Sequence, residues 1–298
     1  MGTPDFAVPS LNILLENGYN VVGVITATDK MGGRGNKKLI ESAVKKFAQA
    51  RDLPILQPKN LKAPAFIEEL RALKADLQIV VAFRMLPEVV WNMPPLGTIN
   101  VHGALLPKYR GAAPINWAVI NGEVETGVTT FLLKQEIDTG DILLKNSIPI
   151  GENETAGEVY NTLMQIGANT LLDTVQLIAS GNYTPAPQDD TLVTKAPKIY
   201  HDTCKIDFNR NTLAVHNFIR GLSPYPTAWT LLADKKLKIF RTQKELVAHT
   251  TTPGTFVSDN KHFLKVATLD GFVHLLELQL AGKKRMETKA FLNGYSFE

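Results

Sequence analysis

Residues 76 to 83, DLQIVVAF, are apolar almost without a break. A strand with one wet face alternates apolar and polar side chains. A run with no polar face predicts a strand covered on both sides, which happens where helices pack on both faces of a parallel sheet. Helix signals surround it. Residues 8–16 are apolar-periodic and end at Gly18, and residues 40–51 repeat the pattern. Residues 64–74 open on Pro64, whose missing N–H costs nothing in a first turn. Further strands are predicted at 21–26, 54–56, 98–102, 127–135 and 142–150, and a long amphipathic helix at 156–180. Strands alternating with helices predict an α/β fold, a doubly wound, mostly parallel sheet.

After residue 181 the pattern changes. Residues 182–200, NYTPAPQDDTLVTKAPKIY, hold three prolines and little periodicity. They read as an extended linker between a domain over 1–181 and a second over 201–298. The second part shows one helix, 212–220, and close-set short strands at 227–232, 236–241, 254–258, 262–268 and 272–281. That pattern suggests a small, OB-like β-barrel. Charge divides the same way. Residues 201–298 carry 14 Lys and Arg against 9 Asp and Glu, while the rest is slightly acidic. Either a polyanion partner sits on the C-terminal part or this is ordinary surface variation. No apolar run approaches the ~18 residues of a membrane helix, and there is no basic-then-apolar leader, so a cytoplasmic protein that avoids membranes is expected. The single cysteine, Cys204, excludes a disulfide framework and a cysteine-rich zinc site.

The chemistry concentrates in residues 98–114, TINVHGALLPKYRGAAP. Asn100 and His102 lie two apart on a strand, hence on one face, at the end where open α/β sheets build ligand crevices. An amide that donates a hydrogen bond beside an imidazole that carries a proton suits acyl transfer: one holds an oxyanion, the other protonates a leaving nitrogen. The same pair also fits a satisfied core Asn and His at a strand end. A second cluster, residues 136–141 (EIDTGD), falls in the turn between two strands. It reads as a polar hairpin turn, or as the source of a carboxylate that reaches His102 and favours its charged form.

NVHGALLPKYRGAAPI, EIDTGDI and the opening GTPDFA together resemble the bacterial methionyl-tRNA formyltransferases. The resemblance runs over essentially the whole chain, through ETGVT, DDTLVTKAPKI, GLSPYPTAW, PGT and LQLAGKKRM. It implies transfer of a formyl group from 10-formyltetrahydrofolate, a folate co-substrate, to the amino group of initiator methionyl-tRNA. It also implies a monomer that needs no metal. It maps the catalytic trio onto Asn100, His102 and Asp138. Folate contacts map onto Ala104, Leu105, Leu106 and Pro107, with Phe83, Arg84 and Met85 resembling the folate-lining loop of glycinamide ribonucleotide formyltransferases. The basic, Gly-rich loop 26–38 maps onto a tRNA-contacting loop through Arg34, with Lys37 and Lys38 as further basic residues of that loop. Apart from the resemblance, Lys283, Lys284 and Arg285 read either as a phosphate-contacting face of the second part or as solvated surface charges.

Two departures bear on these expectations. Ala104 stands where the family usually has serine, and an apolar strand is expected just upstream of Gly2, so that a preceding segment would complete the sheet. Rival readings are a formyltransferase acting on an amino-sugar nucleotide and a non-catalytic nucleic-acid-binding protein. A nicotinamide-dependent oxidoreductase lacks its glycine fingerprint here.

Overall fold

The computed structural model describes residues 1–33, 35 and 38–297. The chain divides into two compact units. The first comprises residues 1–111, 127–147 and 160–195; the second comprises 112–126, 148–159 and 196–298. In chain order the strands of the first two-thirds are β1 (Val24–Ile25), β2 (Lys30–Gly32), β3 (Lys38–Ile40), β4 (Ile55–Leu56), β5 (Gln78–Val81), β6 (Thr98–His102), β7 (Arg110–Gly111), β8 (Glu125–Leu132), β9 (Ile142–Pro149) and β10 (Lys195–Ala196). The helices are α1 (Val8–Glu16), α2 (Ala43–Gln49), α3 (Pro64–Ala72), α4 (Glu88–Trp91), α5 (Pro114–Ile120) and α6 (Ala156–Ser180).

In the first unit β5 and β6 run parallel, and β6 pairs antiparallel with β8, which leads to β9 in a four-stranded sheet. β1 and β4 form a separate parallel pair. Helix starts follow local chemistry: α1 and α3 carry proline in the first turn, and the Ser42 hydroxyl caps α2 by accepting from Lys45 N at 3.0 Å. A core of Ile25, Phe66, Leu70, Val80, Leu86 and Val90 packs between the strands and α3. The loop 26–38 contains a two-stranded antiparallel ribbon, β2 with β3, where the sequence suggested only loop. Arg34 and Lys37 lie outside the described residues.

Met1 and Gly2 run between two strands of the first unit. Val81 N donates to Met1 O (2.9 Å), and Gly2 N donates to Ile25 O (3.0 Å), so these two residues join β5 to β1. Beyond them, between the β1 and β5 edges, lies a cavity of about 450 Å³ lined by Val22, Val24, Leu77, Ile79, Leu171 and Val175 among others. The Met1 amine is buried there, donating to Ile79 O at 2.6 Å, and burial pushes its pKa down to about 5.

The second unit holds β11 (Ala228–Leu232), β12 (Lys235–Leu246), β13 (Phe256–Ser258), β14 (Leu264–Ala267), β15 (Gly271–Leu280) and β16 (Met286–Glu287), with α7 (Thr212–Gly221) and α8 (Thr288–Leu292). The strands form one antiparallel sheet in the order β11-β12-β15-β14-β13, with β16 on β15. A bulge at Ile239–Thr242 bends the long β12, as a curled sheet requires. Val215, Ile219, Leu237, Ile239, Leu264, Leu275 and Leu278 fill its concave side.

Candidate active site

Asn100 and His102 occupy β6 with their side chains on one face, and His102 is almost fully buried. His102 Nε2 lies 2.9 Å from the Tyr109 carbonyl, an acceptor only, so Nε2 carries the hydrogen. That leaves Nδ1 as the nitrogen that exchanges a proton. It faces Asp138 Oδ2 at 3.7 Å, beyond a direct hydrogen bond. The Asn100 amide makes no hydrogen bond to any described residue and stays half-buried, so its N–H groups remain available.

Asp138 belongs to the turn that joins β8 to β9, where the sequence placed a polar hairpin turn. The turn is closed by Leu132 N donating to Asp141 O (3.0 Å), Thr139 Oγ1 donating to Glu136 O (3.1 Å) and a Lys134–Asp141 ion pair at 2.7 Å. A Cβ on Gly140 would sit 1.5 Å from Leu132 O, so only glycine fits that crossing. Asp138 itself has φ of +55°, left-handed backbone that costs a non-glycine residue roughly 1–2 kcal/mol. Its Oδ2 accepts from Gly111 N at 2.9 Å.

The expected effect of Asp138 on His102 is only part of the balance. Burial lowers the imidazole pKa, while the Asp138 carboxylate and the Tyr109 carbonyl pull it back up. Burial wins, so the resting imidazole is neutral near pH 7. A neutral ring with Nδ1 open is able to accept a proton and to return it.

The segments expected to contact folate follow adjacent parallel strands: Phe83, Arg84 and Met85 come after β5, and Ala104 to Pro107 after β6. Both therefore lie outside the carboxyl ends of neighbouring strands, where this architecture gathers ligands. Met85 is exposed, and Arg84 donates to the Pro58 and Lys59 carbonyls. Ala104 and Leu106 are buried. Thr129 Oγ1 donates to Ala104 O (2.7 Å) and accepts from Leu106 N (3.1 Å), fixing the loop from β8. Leu105 and Pro107 keep partial exposure.

Of the residues expected to meet tRNA, Lys38 is exposed on β3, and Lys283 and Lys284 are exposed in the β15–β16 turn. Arg285 is already committed: its Nε and Nη2 each bond a Glu277 oxygen at 2.6 Å, and its guanidinium lies 4.1 Å from the Phe240 ring centre. Among the described residues no group of His, Cys, Asp or Glu side chains could hold a metal ion, and no helix is long and apolar enough to cross a membrane. Thr129, Arg110 and Gln188 also shape the site, and sequence reading passed over all three.

Known proteins bear on this geometry. A family model described as formyl transferase matches residues 1–175, and one described as formyl transferase, C-terminal domain, matches 198–296. A methionyl-tRNA formyltransferase of Bacteroides fragilis is 54% identical, over 99% of this chain and 94% of its own. One from Parabacteroides distasonis is also 54% identical, with the same coverage. Among solved structures, an N-formyltransferase from Helicobacter canadensis, in complex with folinic acid and dTDP-3-aminofucose, superposes with a TM-score of 0.70. It is 21% identical and covers 96% of this chain and 97% of its own, a likeness of fold. Both halves match formyl transferase models and more than half the residues are shared along nearly the full length of named relatives, so this chain belongs to the methionyl-tRNA formyltransferase family.

Proposed function

We propose that this chain transfers the formyl group of 10-formyltetrahydrofolate to the α-amino group of methionine on initiator tRNA, with Asn100, His102 and Asp138 at the reacting atoms. The observation that carries the assignment is the paired availability on β6: an Asn100 amide without a partner among the described residues beside a His102 Nδ1 that is open toward Asp138. The substrate amine attacks the formyl carbon, forming a C–N bond and placing negative charge on the formyl oxygen. Asn100 donates to that oxygen. The amine, now cationic, gives up a proton toward the His102–Asp138 pair, which charges His102 Nδ1. Collapse of the adduct breaks the bond from carbon to the folate nitrogen, and His102 returns the proton there. Proton and charge balance without an acyl-enzyme, and the protein's contribution is positioning and preorganised charge.

Folate is assigned to the mouth formed by Phe83, Arg84, Met85, Leu105 and Pro107, with Ala104 and Leu106 supplying buried support. The tRNA acceptor end is assigned to the β2–β3 ribbon with Lys38, and to Arg34 and Lys37, which precede Lys38 in the sequence and lie outside the described residues. Lys283 and Lys284 meet tRNA phosphates on the second unit. The test is direct. The protein is incubated with 10-formyltetrahydrofolate and either initiator methionyl-tRNA or an amino-sugar nucleotide, and the formylated amine is identified by mass. Formyl-methionyl-tRNA is expected; a formylated sugar without it would overturn the reading.

A further inference from the structure

Within the first unit, residues 182–195 form a strap laid against the turn that bears Asp138. One end is fixed by Ala186, which exchanges two backbone hydrogen bonds with Ile142 (2.7 and 2.9 Å). The other is fixed by Thr194, whose hydroxyl accepts from Tyr109 N (2.8 Å) and whose carbonyl accepts from Arg110 N (2.9 Å). Between these anchors the Gln188 amide is fully used. Its nitrogen donates to the carbonyls of Asp138 and Gly140, each at 2.8 Å. Its oxygen accepts from Arg110 Nε (3.0 Å) and Nη2 (2.8 Å), and Nη2 also reaches Asp190 at 2.8 Å.

A primary amide has two donors and room for two accepted bonds, so nothing is left over for solvent. Gln188 thus reads both sides of the turn apex at once, while the neighbour of Arg110, Gly111, holds the Asp138 carboxylate. Asp138 sits in left-handed backbone, and such a conformation persists only where the surroundings over-determine it. Released from its clamp, the turn would relax and carry Oδ2 away from His102 Nδ1. A shift on the order of 1 Å at a reacting group can cost ~100-fold in rate.

We propose that Gln188, oriented by Arg110, is a positioning residue for formyl transfer: it locks the backbone of the Asp138 turn so that the carboxylate faces His102. The inference rests on Asp138 and His102 being the reacting pair. Two variants separate its roles. Gln188→Ala removes both links. Gln188→Glu keeps the length and the Arg110 contact, but offers no N–H to the Asp138 and Gly140 carbonyls. Steady-state kinetics on the full chain, with 10-formyltetrahydrofolate and initiator methionyl-tRNA, are measured beside Asp138→Ala, with melting curves for each.

Both Gln188 variants are expected to lose kcat by 10- to 100-fold, with both KM values within two-fold of wild type. The Glu variant should melt within a few degrees of wild type. If Asp138→Ala is inactive while both Gln188 variants keep kcat within two-fold, the positioning role is overturned and the catalytic reading stands. If Asp138→Ala keeps wild-type turnover, the catalytic reading itself falls and takes the inference with it. A near-normal Glu variant beside a poorly folded Ala variant would show that Gln188 only docks the strap, which also overturns it.

Discussion

The two ring nitrogens of His102 have separate duties, and that separation sets what each substitution should do. Nε2 is spent on the Tyr109 carbonyl, so Nδ1, beside Asp138, is the nitrogen left open to exchange a proton. His102→Ala and Asp138→Ala should each abolish formyl transfer while leaving tRNA affinity within two-fold, because the charge they handle exists only in the transition state. Single-turnover rates beside equilibrium binding check this; full turnover in either variant would refute the pair. Asn100→Ala should lose about 10²- to 10³-fold in kcat, the cost of one oxyanion donor. The placing of Asn100 and His102 on one strand face was legible in their spacing, while Asp138 was singled out through the family resemblance, since residues 136–141 also read as a polar turn. Gln188 was not: it bonds to backbone carbonyls, which leave no trace in residue types, and it sits in a proline-rich stretch without periodicity. The Arg285–Glu277 pair was not legible either, since Glu277 is brought beside Arg285 by the β15–β16 pairing.

Among the elements, α1, β6 and α6 lie where the sequence put them. Others were shorter than expected. The strand expected over 21–26 shrinks to Val24–Ile25, the two residues in register with Ile55 and Leu56 of β4. In the second unit, α7 carries a different dependence. His216 is buried, with Nδ1 2.8 Å from Thr242 Oγ1 and Nε2 3.4 Å from Glu152 O, and burial followed by the nearby Lys244 charge pushes its pKa down to about 4. The unfolded chain binds the proton first, near pH 6.5, so stability is full above that pH and falls until about pH 4. The most this can cost is roughly 3 kcal/mol. Denaturant titrations at pH 7, 5.5 and 4.5 should show that slope in the native chain and a flatter one in His216→Gln.

For the molecule as a whole, the lysines of the second unit differ in how much charge they can lend. Lys283 and Lys284 make no ion pair with any described residue, whereas Arg241, Lys244, Lys265 and Arg285 are each paired with a glutamate. Replacing Lys283 and Lys284 together by alanine should lower the slope of log affinity for tRNA against log salt by roughly 1.5. Arg285→Ala should leave that slope unchanged while lowering the melting temperature, because it removes the bridge to Glu277 and the cover on Phe240. An equal slope change in the two variants would show that pairing does not decide which cations meet phosphate. The second unit is also assembled from three separated stretches of chain, the first being 112–126 and the last 196–298. During synthesis, α5 therefore emerges long before α7 and the β-strands that complete its unit. At ~5–20 residues per second the wait is on the order of ten seconds. Through that interval Ile115, Ala118 and Val119, buried in the finished unit, stand uncovered on the nascent chain, a ready foothold for a chaperone.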